Sequence, residues 1–220
     1  MNNTLATQFG NIDIYLFDQL LRGRIAPGMA VLDCGCGDGR NLVYLMRNGF
    51  EVRGVDQEPR AVDAIRELAS VIAPQLSPQN FRVEPVEAMS FADASADVVL
   101  SSAVLHFARD EQQFRAMVTE MWRVLRPGGL LFCRLASTIG MEGRFEHLEA
   151  RIFRLLDGSV RFLVDAELLN EITLQLGGTL VDTLKTTVVQ DLRCMTTWVL
   201  RKSAETRQLP ANIRQLPRGG

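Results

Sequence analysis

Apolar residues along this chain follow two spacings that take turns. Short continuous runs of strand type occupy 30–33, 51–55, 81–86, 97–101 and 130–135. Between them, apolar residues recur every three or four positions. Leu42, Val43, Leu45 and Met46 form one such face, and Ala61, Ile65, Leu68, Ala69 and Ile72 form another. Phe114, Met117, Val118, Met121, Trp122 and Leu125 form a third. The first spacing suits strands covered on both faces, and the second suits amphipathic helices. The punctuation agrees. Gly49 stops the first helix, Pro59 opens the second, and Arg126-Pro-Gly-Gly129 closes the third. Five successive strand–helix units predict an α/β fold with a doubly wound, mostly parallel sheet.

Beyond residue 135 the order changes. Segments 145–156 and 165–176 read as helices, the second with Asp165 as N-cap and Gly177-Gly178 as its stop. Two β-type runs, 179–189 and 194–201, predict a terminal antiparallel hairpin. Near the start, Leu16, Phe17, Leu20 and Leu21 share a helical face that ends at Gly23. That helix either packs over the sheet or forms a lid with Tyr15 facing a ligand. The expected organisation is one domain over 1–202, with an N-terminal helix at 10–26 and an insert at 138–163 that could cap a substrate. The segment 203–220, with Pro210, Pro217 and several arginines, reads as a flexible basic tail.

The stretch Val31-Leu-Asp-Cys-Gly-Cys-Gly-Asp-Gly-Arg-Asn41 carries the chemistry. An apolar strand breaks into three alternate glycines, Gly35, Gly37 and Gly39, and a helical pattern follows. Glycine permits positive φ and close approach of a ligand to the main chain. Unpaired N–H groups at a helix start would favour an anionic group there. A dinucleotide fingerprint requires a third glycine where Arg40 stands, so that pattern fails. Asp56 ends the next strand, where a carboxylate can accept hydrogen bonds from both hydroxyls of a ribose.

Together these residues closely resemble the cofactor site of class I S-adenosylmethionine (SAM)-dependent methyltransferases, of the methyltransferase 11/12-like kind. Three further stretches extend the resemblance over about 10–202. Met89-Ser-Phe-Ala-Asp-Ala-Ser-Ala-Asp-Val-Val99 is similar to L-P-F-x-D-x-S-F-D-V-V. Leu105-His106 is similar to the L-H-H stretch, with Phe107 at its last position. Trp122-Arg-Val-Leu-Arg-Pro-Gly-Gly129 is similar to R-V-L-K-P-G-G. The resemblance implies a seven-stranded Rossmann-like sheet that binds SAM.

It also implies residue roles. Gly35, Gly37 and the adjoining backbone of Cys34, Cys36 and Gly39 would face the methionine part and ribose. Asp33 would set the turn and its contacts to the amino group. Asp56, with Gln57 beside it, would hold the ribose hydroxyls. Glu87 and Ala88 would serve the adenine, although strict matching back from Phe91 puts Pro85 at the acidic position. Ser101, Ser102 and Ala103 would border the methyl group. On the acceptor side, Tyr15, His106 and Arg144 are the candidates, with His106 also the candidate base. Methyl transfer is an in-line displacement with a neutral leaving group. It needs alignment and exclusion of water, and a base only where the nucleophile arrives protonated.

Composition narrows the partners. The 220 residues carry a net charge of −2 and two histidines, so no global field draws nucleic acid or an anionic membrane. No apolar run is long enough for a membrane span, and 1–7 lacks the pattern of a signal peptide. The four cysteines show no zinc-type C-x-x-C spacing, so no metal is expected. A reduced, cytoplasmic setting is the default. The leading expectation is a methyltransferase acting on a small molecule. A non-catalytic SAM-binding module is the alternative, and a dinucleotide oxidoreductase is disfavoured by Arg40.

Overall fold

In a computed structural model, residues 5–204 are described. All but the first two residues of the expected tail lie outside that range. In chain order, α1 (Leu5–Phe9) and α2 (Ile14–Leu21) precede β1 (Ala30–Cys34), α3 (Val43–Arg47), β2 (Glu51–Asp56) and α4 (Pro59–Ile72). Next come β3 (Phe81–Val83), β4 (Ala96–Ser102), α5 (Glu111–Val124) and β5 (Leu125–Ser137). A separate group follows: β6 (Glu146–Glu149), β7 (Ile152–Arg154) and β8 (Val160–Phe162). The chain then forms α6 (Ala166–Gln175), β9 (Gly178–Leu180), β10 (Lys185–Val189) and β11 (Arg193–Lys202).

The main sheet runs β10-β11-β5-β4-β1-β2-β3, with β9 added on β11. Pairings among β1 to β5 are parallel, and β11 is antiparallel to β5, β9 and β10. This is the expected doubly wound sheet with an antiparallel end. β1 is buried at all five positions, as a central strand covered on both faces must be. Side chains alternate between the faces. Val31 and Val52 join Leu45, Met46, Val62 and Ile65 on one side, while Leu32 and Val55 join Phe114, Met121, Leu168 and Ile172 on the other. The chain reverses its winding between β1 and β4. Ligands in such sheets bind at the carboxyl ends of the strands, at this crevice.

Local chemistry starts the helices where the sequence places them. Pro59 sits in the first turn of α4. Asp110 accepts from Gln113 N at 2.7 Å to cap α5, and Asp165 accepts from Leu168 N at 2.8 Å to cap α6.

Three expectations are corrected. Segment 145–156 is not a helix; it belongs to the antiparallel sheet β6-β7-β8. Its apolar spacing imitates a helical face, but Asp157-Gly158, with Gly158 at φ +80°, turns the chain into a hairpin. The run 179–189 is two strands on one edge of β11. Between them Asp182 leaves the edge to bind Arg24 through both carboxylate oxygens. Finally, the first core helix, expected from the sequence over about 40–48, is α3, which begins only at Val43 and has five residues.

Candidate functional site

The glycine turn satisfies itself. Gly35 N and Cys36 N donate to Val55 O at 2.8 and 2.9 Å, and Gly39 N donates to Cys36 O at 3.0 Å. Gly37 N donates to Asp56 Oδ2 at 2.9 Å. The N–H groups of Gly35, Cys36, Gly37 and Gly39 are thus all engaged within the turn and by its neighbours. Asp56 is fixed from both sides, because its Oδ1 also accepts from Glu58 N at 2.9 Å. Gly35 has φ +82°, and a Cβ built there would lie 2.3 Å from Val104 Cγ2. No larger residue fits this closest approach of turn to loop.

Beside the turn opens a cavity of about 300 Å³. Gly35, Asp56, Gln57, Glu87, Ser102 and Ala103, six of the residues named from the sequence, line it. Val86, Val104, Phe107, Gln113 and Met117 also line it and were not foreseen. Glu87 is held by Gln113 Nε2, which donates to Glu87 Oε1 at 2.7 Å. Ala88 is not in the wall, and its N–H donates to Pro85 O at 3.2 Å. The wall there is formed by Val86 and Glu87.

Asp33 lies behind the turn, 1% exposed, and its Oδ1 has no hydrogen-bond partner. Burial pushes its carboxyl up to about 7; Arg40 opposes this and Asp56 adds to it. Cys34, Cys36 and Ser101 are buried, and Cys36 packs against Gly54. Burial raises the thiols of Cys34 and Cys36 well above the usual range. These residues, with Gly37 and Gly39, support the turn from outside the cavity wall. An orphaned buried carboxylate, with Asp56 and Glu87 at the wall, makes this cavity acidic. Such a site fits a cationic ligand such as SAM and opposes a dinucleotide pyrophosphate.

A second cavity, of about 350 Å³, adjoins the first, and Ala103 and Phe107 line both. His106, Arg134, Leu155, Arg161, Arg193 and Met195 are among its other walls. His106 Nδ1 accepts from Ala136 N at 3.2 Å. Burial, then the charges of Arg161 and Arg193, lower the imidazole to about 4. The ring is therefore neutral near pH 7, and its proton sits on Nε2. Arg134 pairs with buried Asp13 at 3.1 Å. Ser102 Oγ donates to Asp13 Oδ2 at 3.3 Å and accepts from Arg40 at 3.1 Å. This network ties the start of α2 to the ends of β4 and β5.

Residues 32–133 match the family described as a methyltransferase domain. Residues 32–133 thus carry a methyltransferase domain of the class I SAM-dependent kind. Among relatives of this methyltransferase, it is 34% identical to the ubiquinone biosynthesis O-methyltransferase of Methylocella silvestris, over 51% of this chain and 43% of that protein. It is 25% identical to the tRNA 5-carboxymethoxyuridine methyltransferase of Escherichia coli, over 60% of this chain and 52% of that protein. The methyltransferase chain thus spans about half the length of these relatives or less. Its fold is similar to that of the 1,6-didemethyltoxoflavin-N1-methyltransferase of Burkholderia thailandensis, solved with bound 1,6-didemethyltoxoflavin and S-adenosylhomocysteine. That match has a TM-score of 0.66 at 20% identity and covers 90% of this chain and 80% of that one.

Two acceptor-side candidates of the methyltransferase stand apart from both cavities. The Tyr15 hydroxyl is 2.5 Å from Thr187 Oγ1, and its ring lies beneath Arg134 and Lys185. Half-exposed Arg144 is 3.9 Å from Asp191. The third candidate, His106, does line the second cavity, where Arg134 of β5, Arg161 of β8 and Arg193 of β11 join it from distant parts of the sequence.

Proposed function

We propose that this chain transfers the methyl group of SAM, in line, to a small-molecule acceptor seated in the second cavity. The junction of the two cavities at Ala103 and Phe107 carries this reading. In-line displacement needs donor and acceptor compartments that meet at one point and exclude water there. SAM supplies a methyl on a sulfonium whose leaving group is neutral. The chain's own residues do the rest. Asp56 and Glu87 anchor the nucleoside end, the glycine turn admits the methionine end, and Ala103 and Phe107 frame the opening between the compartments. A cavity of about 350 Å³ is of small-molecule size and favours such an acceptor over a nucleic acid. A non-catalytic SAM-binding module would have no need of this second compartment.

Calorimetric titration with SAM, S-adenosylhomocysteine and NAD tests the cofactor. Binding of the first two on the order of micromolar, with none for NAD, is expected. Failure of both SAM and its product to bind would overturn the proposal. Asp56→Ala should weaken SAM by about 1–3 kcal/mol, the scale of charge-assisted hydrogen bonds; unchanged affinity would remove Asp56 from the site.

In this proposal His106 is a donor within the acceptor compartment and not a base. The pH profile of turnover between 6 and 8 should keep its shape in His106→Gln once an acceptor is found. Loss of an inflection in that window would restore the base role.

A further inference from the structure

Every side-chain polar group lining the second cavity is a donor. Arg134, Arg161, Arg193 and His106 reach it from four separate elements, and no carboxylate is among its lining residues. Two of the cations are only partly compensated. Arg161 forms no ion pair among the described residues and lies 4.6 Å over the Phe107 ring. Arg193 stands 3.6 Å from Asp157, with its side chain 47% exposed. Arg134 is paired with Asp13, yet its buried Nε has no partner. His106 adds a fourth donor, because Ala136 N occupies its Nδ1 and leaves Nε2–H for a ligand. Ala136, Leu155, Val189 and Met195 supply an apolar floor.

We propose that the acceptor is a small organic acid whose carboxylate docks on Arg161 and Arg193, with its apolar body on that floor. This rests on the methyltransferase reading and names the substrate class of the same site. Guanidinium forks match a carboxylate in two parallel hydrogen bonds, and removal from water strengthens them. The two cavities then have opposite character. The cofactor compartment is acidic and the acceptor compartment basic, so a cationic donor and an anionic acceptor sort themselves without competing. The hairpin β7-β8, within the insert, brings Arg161 to the site. The insert thereby acts as a specificity element.

The test separates the two readings. S-adenosylhomocysteine binding is measured first; its absence would fell the methyltransferase reading itself. The loaded protein is then titrated with benzoate, benzamide and phenyl phosphate. Benzoate should bind at least about tenfold tighter than benzamide. Arg161→Gln and Arg193→Gln should each remove about tenfold of benzoate affinity and leave S-adenosylhomocysteine affinity unchanged. Arg161→Lys should restore part of the loss. Equal binding of benzoate and benzamide, binding of neither, or anion binding untouched by both substitutions would overturn the proposal. A preference for phenyl phosphate over benzoate would overturn the carboxylate assignment in favour of a phosphate ester.

Discussion

Replacing Asp33 with Asn should stabilise the apoprotein above neutral pH and weaken SAM binding in the same step. Asp33 ends β1, is 1% exposed, and has an oxygen without a partner. Its carboxyl titrates near 7 in the folded chain against 3.8 when unperturbed. The folded state therefore holds more protons than the unfolded state between about pH 4 and 7. Stability contributed by this group falls as pH rises through that window and is flat above it. At 1.36 kcal/mol per pH unit the whole interval corresponds to roughly 4 kcal/mol. Asn carries no charge to desolvate, so Asp33→Asn should recover up to that amount at pH 8 and little at pH 4. Denaturant unfolding at both values measures it.

The binding half follows from the same charge. A cation drawn into the site favours the ionised carboxylate, so wild-type SAM affinity should rise between pH 6 and 8. The variant should lose that slope and about tenfold of affinity at pH 8. Identical pH dependence of stability in wild type and variant would show that Asp33 is ionised throughout. The burial that destabilises the fold would then not be what prepares the site.

How much of this was legible depends on how local each cause is. The glycine turn, the central strands and the cap at Asp165 follow from spacing and short-range hydrogen bonding, and the chain states both within a few residues. The wall of the first cavity was readable where it belongs to the turn or the end of β2, at Gly35, Asp56 and Gln57. Val86 was not readable as part of it, because that loop is held through Glu87 by Gln113 of α5, a contact no local pattern announces. The insert failed differently. Phe145, Leu148, Ile152 and Phe153 repeat at helical spacing, yet Asp157-Gly158 outweighs them by setting a hairpin register. The second cavity was the least legible. Arg134, Arg161 and Arg193 resemble solvated surface arginines in the sequence. Only the fold converges them on His106, whose tautomer in turn depends on the backbone of Ala136.

The severest local change should be Gly35→Ala, and its cause is divisible. Two costs meet at this position. At φ +82° an alanine is strained by about 1–2 kcal/mol. Its Cβ would also lie 2.3 and 2.8 Å from the two γ-methyls of Val104, which no rotation of a rigid turn relieves. Overpacking of this kind adds about 1–3 kcal/mol, so the single variant should lose about 2–5 kcal/mol and fail to bind SAM. Val104→Ala removes both γ-carbons, and the nearest remaining atom is Val104 Cβ at 3.1 Å. Alone it should cost about 1 kcal/mol or less, since Val104 is only partly buried. Combined with Gly35→Ala it should recover the overpacking and leave the backbone strain. The double-mutant cycle is therefore expected to show a favourable coupling of about 1–3 kcal/mol between the two sites. Additive costs would mean that the turn and the loop carrying Val104 move apart freely. The wall of the first cavity would then be soft at Gly35 and Val104. Strong coupling together with lost SAM binding in Gly35→Ala alone would show that the glycine is required for this close approach, beyond its conformational freedom.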